Sequence, residues 1–339
     1  MAATQYIASP PMVAGAGRSG RRPMRRAVRP ICALVAALMP LALAACAWPA
    51  STGPDWHQRR VILLTGVCLS TVHLPPPPPL PPGLPELPAA PRLPSWLTCG
   101  SDDQPLDARQ HALETFGSLV GALEHLHGGA QAYHDGDFRY FSYDPTNLAT
   151  YTPADTRQSL DTAAAALERE FATWHHAEPR ATFDLVGHSL GGVIAALWVA
   201  AYATPDELRY VHAMVTLDSP VAGYPQPLYG YLAPYLAPLF GDPAQALSAS
   251  AALMRRVAAA PSRWKVGPGH YLSAVYDIGN LRDLVVPAFV ATLPGADGII
   301  DDLGLGPDDL NHGAVLSAPK ALTAVGGVLG TTGGPELAT

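Results

Sequence analysis

Residues 183–203, FDLVGHSLGGVIAALWVAAYA, restrict the architecture more than any other stretch of the chain. Phe183, Leu185 and Val186 read as a short buried strand, and Val193 to Val199 as an apolar helix. Gly187-His188-Ser189-Leu190-Gly191 joins them with the G-x-S-x-G spacing of a nucleophile elbow. A turn this sharp strains the serine backbone, and Gly187 and Gly191 let neighbouring chain approach where a Cβ would collide. Ser189 Oγ then stands clear of the strand end, and the Leu190 N–H points to where an oxyanion would form.

A strand feeding a helix through such a turn belongs to a layered sheet, and the rest of the chain supplies one. Val61-Ile62-Leu63-Leu64, ended by Thr65-Gly66-Val67, is an unbroken apolar run suited to a strand covered on both faces. Residues 106–126 read as a helix with Leu113, Phe116, Val120 and Leu123 on one side, and Phe138 to Tyr143 as the next strand. Thr152, Pro153 and Asp155 look like the N-cap, N1 and N3 of a helix burying Leu160, Ala164, Leu167, Phe171 and Trp174. Val211 to Leu217 and Leu272 to Ile278 are further strands, and a closing helix runs from about Pro319 to Leu329. The alternation predicts an α/β chain with a doubly wound, mostly parallel sheet and its site at the strand C-termini. With 48% apolar residues, one domain over 60–330 has ample core.

Two segments break the pattern. Residues 73–96 (HLPPPPPLPPGLPELPAAPRLPSW) hold too many prolines for a strand or helix interior and read as a rigid loop near the mouth of the site. Cys68 and Cys99 bracket them; a disulfide suits an exported chain, and two unpaired buried thiols are the alternative. Residues 222–265 crowd tyrosines and leucines between prolines, as a cap or lid over an apolar substrate site would, or as an extra packed helical hairpin would.

The first 54 residues carry no Asp or Glu but hold Arg18, Arg21, Arg22, Arg25, Arg26 and Arg29 ahead of the apolar run from Ile31 to Ala47. Residues 1–45 are the layout of a bacterial export signal, and Pro40 in a short apolar run argues against a membrane span. Leu43-Ala44-Ala45-Cys46 resembles a lipobox, making Cys46 a lipidation candidate that would anchor the protein to a membrane; ordinary cleavage and secretion is the other route. Residues 46–59 would then be a tether and 331–339 a flexible tail. The whole chain carries −7, and the signal holds six arginines, so the remainder is more acidic still and a poor nucleic-acid partner. No metal-ligand spacing or cofactor motif is evident, and Asp297, Asp301, Asp302, Asp308 and Asp309 read as a solvated loop.

A serine is a weak nucleophile until a base takes its proton, and the base needs an acid to hold its tautomer. Ser189, Asp283 and His312 supply these groups in chain order, with Asp218 as an alternative acid. His188 reads as a structural residue pointing away from the site.

The elbow, the turn in Val215 to Gly223 (VTLDSPVAG), the acid segment Asp283-Leu284-Val285-Val286-Pro287 and the segment His312-Gly313-Ala314-Val315-Leu316 together resemble the bacterial lipases and esterases of the α/β-hydrolase superfamily. The chain departs from them by carrying Thr65-Gly66 where they usually have His-Gly. The resemblance implies an α/β-hydrolase fold over residues 60–330 and an ester or lipid substrate cleaved through an acyl-enzyme on Ser189. It also implies an oxyanion hole from the N–H groups of Leu190 and Val67. Acyl transfer by the same acyl-enzyme and a non-catalytic binding role are the other readings.

Overall fold

The computed structural model describes residues 55–68, 99–125, 133–226, 229, 237, 241–249, 251–260, 263, 272, 274–306 and 310–330. The expected export signal, Cys46, the proline-rich segment 73–96, Asp308, Asp309 and the tail 331–339 lie outside them, as does much of 222–265. Among the described residues no helix is long and apolar enough to cross a membrane.

Six parallel strands form the central sheet: β1 (Asp55–Leu64), β3 (Phe138–Tyr140), β5 (Ala181–His188), β6 (Val211–Leu217), β7 (Ala274–Asn280) and β8 (Asp297–Asp301). They lie in the order β3-β1-β5-β6-β7-β8, while β2 (Leu106–Asp107) and β4 (Thr150–Tyr151) make a small antiparallel ribbon beside them. The period-2 pleat sorts their side chains onto two faces. Ile62, Leu64, Phe183, Leu185 and Met214 face one core, with helices α2 (Leu160–Ala177) and α3 (Leu190–Leu197). Val61, Leu63, Val186, Val215 and Ile278 face the other, with α1 (Ala108–Glu124) and the C-terminal helix Pro319–Leu329. This is the expected doubly wound α/β arrangement. The order reverses at β1 and β5, and the crevice outside their C-terminal ends is where such sheets bind ligands.

Register aligns the strand ends. Leu64 pairs with Gly187, His188 with Leu217, and Leu217 with Ile278, so Thr65, Ser189 and Asp218 leave the sheet along one rim.

At the opposite end of the strands, a polar group lies inside the second core. Buried Arg59 donates to both carboxylate oxygens of Asp184 at 2.8–3.1 Å, while His212 Nδ1 lies 2.8 Å from Asp184 and also contacts Arg59. Tyr133 donates to Asp184 and to the Leu329 carbonyl at 3.3 Å, and Arg59 reaches that carbonyl as well. Burial alone would raise the Asp184 carboxyl, but the charge of Arg59 and the His212 contact outweigh it and hold it below the usual range.

Several local expectations change. β1 begins at Asp55, so residues 55–59 of the expected tether lie in the strand, where buried Arg59 is met by Asp184. The strand expected over 138–143 stops at Tyr140, since the Ser142 N–H turns to the buried Glu170 carboxylate at 3.1 Å. Burial pushes that carboxyl well above its ordinary value. Thr152 and Asp155 do exchange capping bonds, Thr152 N–H to Asp155 Oδ2 at 2.7 Å, but they head a single 3₁₀ turn (Asp155–Arg157). Ser159 caps α2 instead, accepting from the Thr162 N–H, and Trp174 on that helix is only half-buried. The strand expected over 272–278 spans 274–280, and residues 297–301, read as solvated loop, form β8, a largely exposed edge strand. Within 222–265, Tyr224 is a core residue, and the short helices Pro243–Ala246 and Ala252–Ala258 bury Ala244, Met254 and Val257 in the α3 core.

Candidate active site

Ser189 is the residue between β5 and α3, at φ 54° and ψ −124°, a conformation costly to any residue with a Cβ. Two features hold it there. Its N–H donates to the Leu217 carbonyl at 2.9 Å, and its carbonyl accepts from Gly192 N–H at 3.2 Å. The flanking glycines are required by contact: a Cβ on Gly187 would lie 2.5 Å from the Gly192 backbone, and one on Gly191 2.2 Å from the Leu64 carbonyl oxygen. The elbow is thus pressed against the end of β1.

Asp283 and His312 arrive from separate loops. Asp283 follows β7 and is fixed through Oδ1, which accepts from the Val285 and Val286 N–H groups at 2.7 and 2.9 Å. Its Oδ2 lies 2.7 Å from His312 Nδ1. An ionised carboxylate only accepts, so Nδ1 carries the proton in this pair and Nε2 is the basic nitrogen of the neutral ring. Asn311, just before the histidine, is at φ 57° and accepts from Gly306 N–H, which shapes the loop that delivers the imidazole.

His188 does not point away from the site. Its ring lies 4.7 Å from that of His312, and its Nε2 donates to the His312 carbonyl at 3.1 Å. Burial, and then the neighbouring His312, hold its pKa well below the ordinary imidazole value, so His188 is a neutral prop. It ties the elbow to the loop carrying His312.

The loop after β1 lies against the serine. A Cβ on Gly66 would come within 2.8 Å of Ser189 Cβ and 3.3 Å of its Oγ. Buried Tyr143 donates to the Thr65 carbonyl at 2.7 Å, and Thr156 accepts from the Cys68 N–H at 3.0 Å. Val67 and Leu190 are both buried beside this junction. As the first residue of α3, Leu190 has no intrahelical carbonyl for its N–H. Cys68 and Cys99 are joined in a disulfide with Cα atoms 5.7 Å apart. His111 Nε2 lies 3.6 Å from the Cys99 sulfur, and its Nδ1 contacts Tyr151, whose hydroxyl reaches the Thr65 side chain at 3.3 Å. The bridge, the histidine and the tyrosines together clamp the loop that faces Ser189.

Asp218 also comes to the rim, at φ 40°, with Oδ1 accepting from the Asn280 N–H at 2.6 Å. Among the described residues two groups could in geometry hold a metal: Asp218, Asp283 and His312, and Cys68, Cys99 and His111, each with atoms within 4.8 Å of one another. The first is already an acid–imidazole hydrogen bond, and the sulfurs of the second are joined. Tyr143 and Asn280 escape a reading of the sequence, because each meets the site only through a tertiary contact.

Residues 124–224 match the family described as Lipase (class 3), a segment that includes Ser189 and Asp218 and ends before Asp283 and His312. Comparison with curated proteins finds no match. Solved structures similar to this chain include a mature Bacillus licheniformis lipase at 13% identity, covering 81% of this chain and 94% of that one with a TM-score of 0.46. A Pyrococcus furiosus esterase is similar at 13% identity over 81% and 83% (TM-score 0.42), and a Paleococcus ferrophilus monoacylglycerol lipase at 11% over 83% and 97% (TM-score 0.41). The central sheet, six parallel strands in doubly wound order with the elbow between β5 and α3, is an α/β fold, and the family match extends over less than a third of the chain.

Proposed function

We propose that the protein is a serine hydrolase of carboxylic esters with lipid-like acyl or alcohol parts. The observation that supports it is the His312–Asp283 pair, propped by His188 next to a serine held at φ 54°. In this reading Ser189 Oγ attacks the ester carbonyl while its proton passes to His312 Nε2. Asp283 steadies the imidazolium through the Nδ1 hydrogen bond, and the N–H groups of Leu190 and Val67 receive the oxyanion. His312 returns the proton to the departing alkoxide, releasing alcohol and leaving an acyl-Ser189. Water then attacks, gives one proton to His312 and releases the acid as that proton returns to Ser189 Oγ. The arginine-rich, lipobox-like residues 18–46 support export to the cell envelope or beyond.

The test is a panel of p-nitrophenyl esters from acetate to long-chain acyl, with and without Ser189→Ala. We expect loss of at least about 10³-fold in kcat/KM. Full activity in the variant overturns the reading, as does failure of the wild-type serine to react with a fluorophosphonate. Added alcohol separates hydrolysis from acyl transfer by its products.

A further inference from the structure

We infer that Asp218 is a second positioning acid, so that two carboxylates from adjacent strands serve the one imidazole of His312. This rests on the triad reading above. Among the described residues, the non-glycine residues at positive φ are Ser189, Asp218 and Asn311. One is the proposed nucleophile and another immediately precedes the proposed base. Such backbone conformations persist where the surroundings enforce them, and they gather at working sites. Asp218 shares this strain, whereas Asp283 does not.

Placement agrees. The pairing of His188 with Leu217 sets Ser189 and Asp218 side by side at the ends of β5 and β6, and the Ser189 N–H is held by the carbonyl of Leu217. On its other side the turn is tied to β7, because the Asp218 N–H donates to the Ile278 carbonyl at 2.8 Å. The carboxylate is fully buried, its Oδ1 is fixed by the Asn280 N–H, and one of its oxygens lies within 4.8 Å of a ring nitrogen of His312 and of the Asp283 carboxylate. Among the described residues, the charged and titratable groups beside His312 include Asp283, Asp218 and the neutral His188, while Tyr224 packs beside Asp283 with its hydroxyl on the Val285 carbonyl. A carboxylate at this distance favours the imidazolium that forms when Ser189 gives up its proton. Asp283 holds the tautomer by direct contact, and Asp218 adds charge.

The test is the pH profile of kcat/KM in wild type, Asp218→Asn, Asp283→Asn and the double variant. Asparagine keeps the oxygen that accepts from Asn280 and tolerates positive φ, so Asp218→Asn should fold with an unchanged melting temperature. We expect its ascending limb, which reports His312, to move down by about one pH unit. Asp283→Asn should keep measurable activity that the double variant loses by at least a further ~10-fold. Fluorophosphonate labelling of Ser189 in each variant separates the outcomes. If wild type labels and hydrolyses but the Asp218→Asn limb stays in place, Asp218 is merely structural and the inference fails alone. If wild type neither labels nor hydrolyses, the triad reading itself has failed.

Discussion

Replacing Arg59 by methionine tests the buried charge group that anchors β1, independently of any activity. Methionine retains much of the apolar stem, so the change removes chiefly the guanidinium and its bonds to Asp184, His212 and Leu329. With contacts of 2.8 Å and charge centres roughly 4 Å apart, the lost attraction at an effective dielectric near 20 is about 4 kcal/mol. That agrees with the ~3–5 kcal/mol expected when one partner of a buried pair is deleted and the other charge stays inside. For a domain of this size each kcal/mol is about 2–4 °C of melting temperature, so the variant should melt ~6–20 °C lower near pH 7. The sign with pH follows from Asp184. In wild type its carboxyl lies below the usual range, so the stability it contributes is present above about pH 4 and lost as pH falls through the folded value. In Arg59→Met burial outweighs the remaining His212 contact and lifts that carboxyl, so the charged form is penalised at neutral pH and relieved by protonation in acid. Thermal unfolding of the full chain, followed by circular dichroism at pH 7 and pH 4.5, should show a deficit that shrinks in acid. An unchanged melting temperature, or a deficit equal at both pH values, refutes the reasoning.

Gly66→Ala places a Cβ 2.8 Å from Ser189 Cβ, which the elbow cannot yield to without shifting the nucleophile. We expect kcat/KM for a short p-nitrophenyl ester to fall by about 10²-fold or more with the fold retained, and wild-type kinetics would remove Gly66 from the site. Joint replacement of Cys68 and Cys99 by serine opens a loop with 31 residues of separation and should cost about 3–4 kcal/mol in the chain-entropy model. Urea titration measures it; equal midpoints for the two proteins would show that the bridge adds nothing.

The elbow and its flanking elements were legible because contact and strain there restrict residue type: Gly187, Ser189 and Gly191 each answer to a distance of a few ångströms. Asp283 and His312 could be singled out from their order in the chain, although their meeting depends on β7 and on the loop carrying Asn311, which no local pattern displays. The burial of Arg59 was not legible because its partner Asp184 lies far away in sequence, beside it only after β1 and β5 pair. β8 was hidden for the opposite reason. Its residues are mostly exposed on an edge, so no apolar alternation records the pairing with β7. His188 was placed wrongly because a strand's alternation predicts a side, whereas the loop bringing His312 over it is a tertiary fact.

The covalent tie between Cys68 and Cys99 fixes the departure and return of residues 69–98 at nearly one point, 5.7 Å between Cα atoms. A segment anchored this way is a closed side branch of the polypeptide. Shortening it, lengthening it or exchanging its sequence need not stretch the sheet, because the bridge holds Cys68 and Cys99 together whatever chain runs between them.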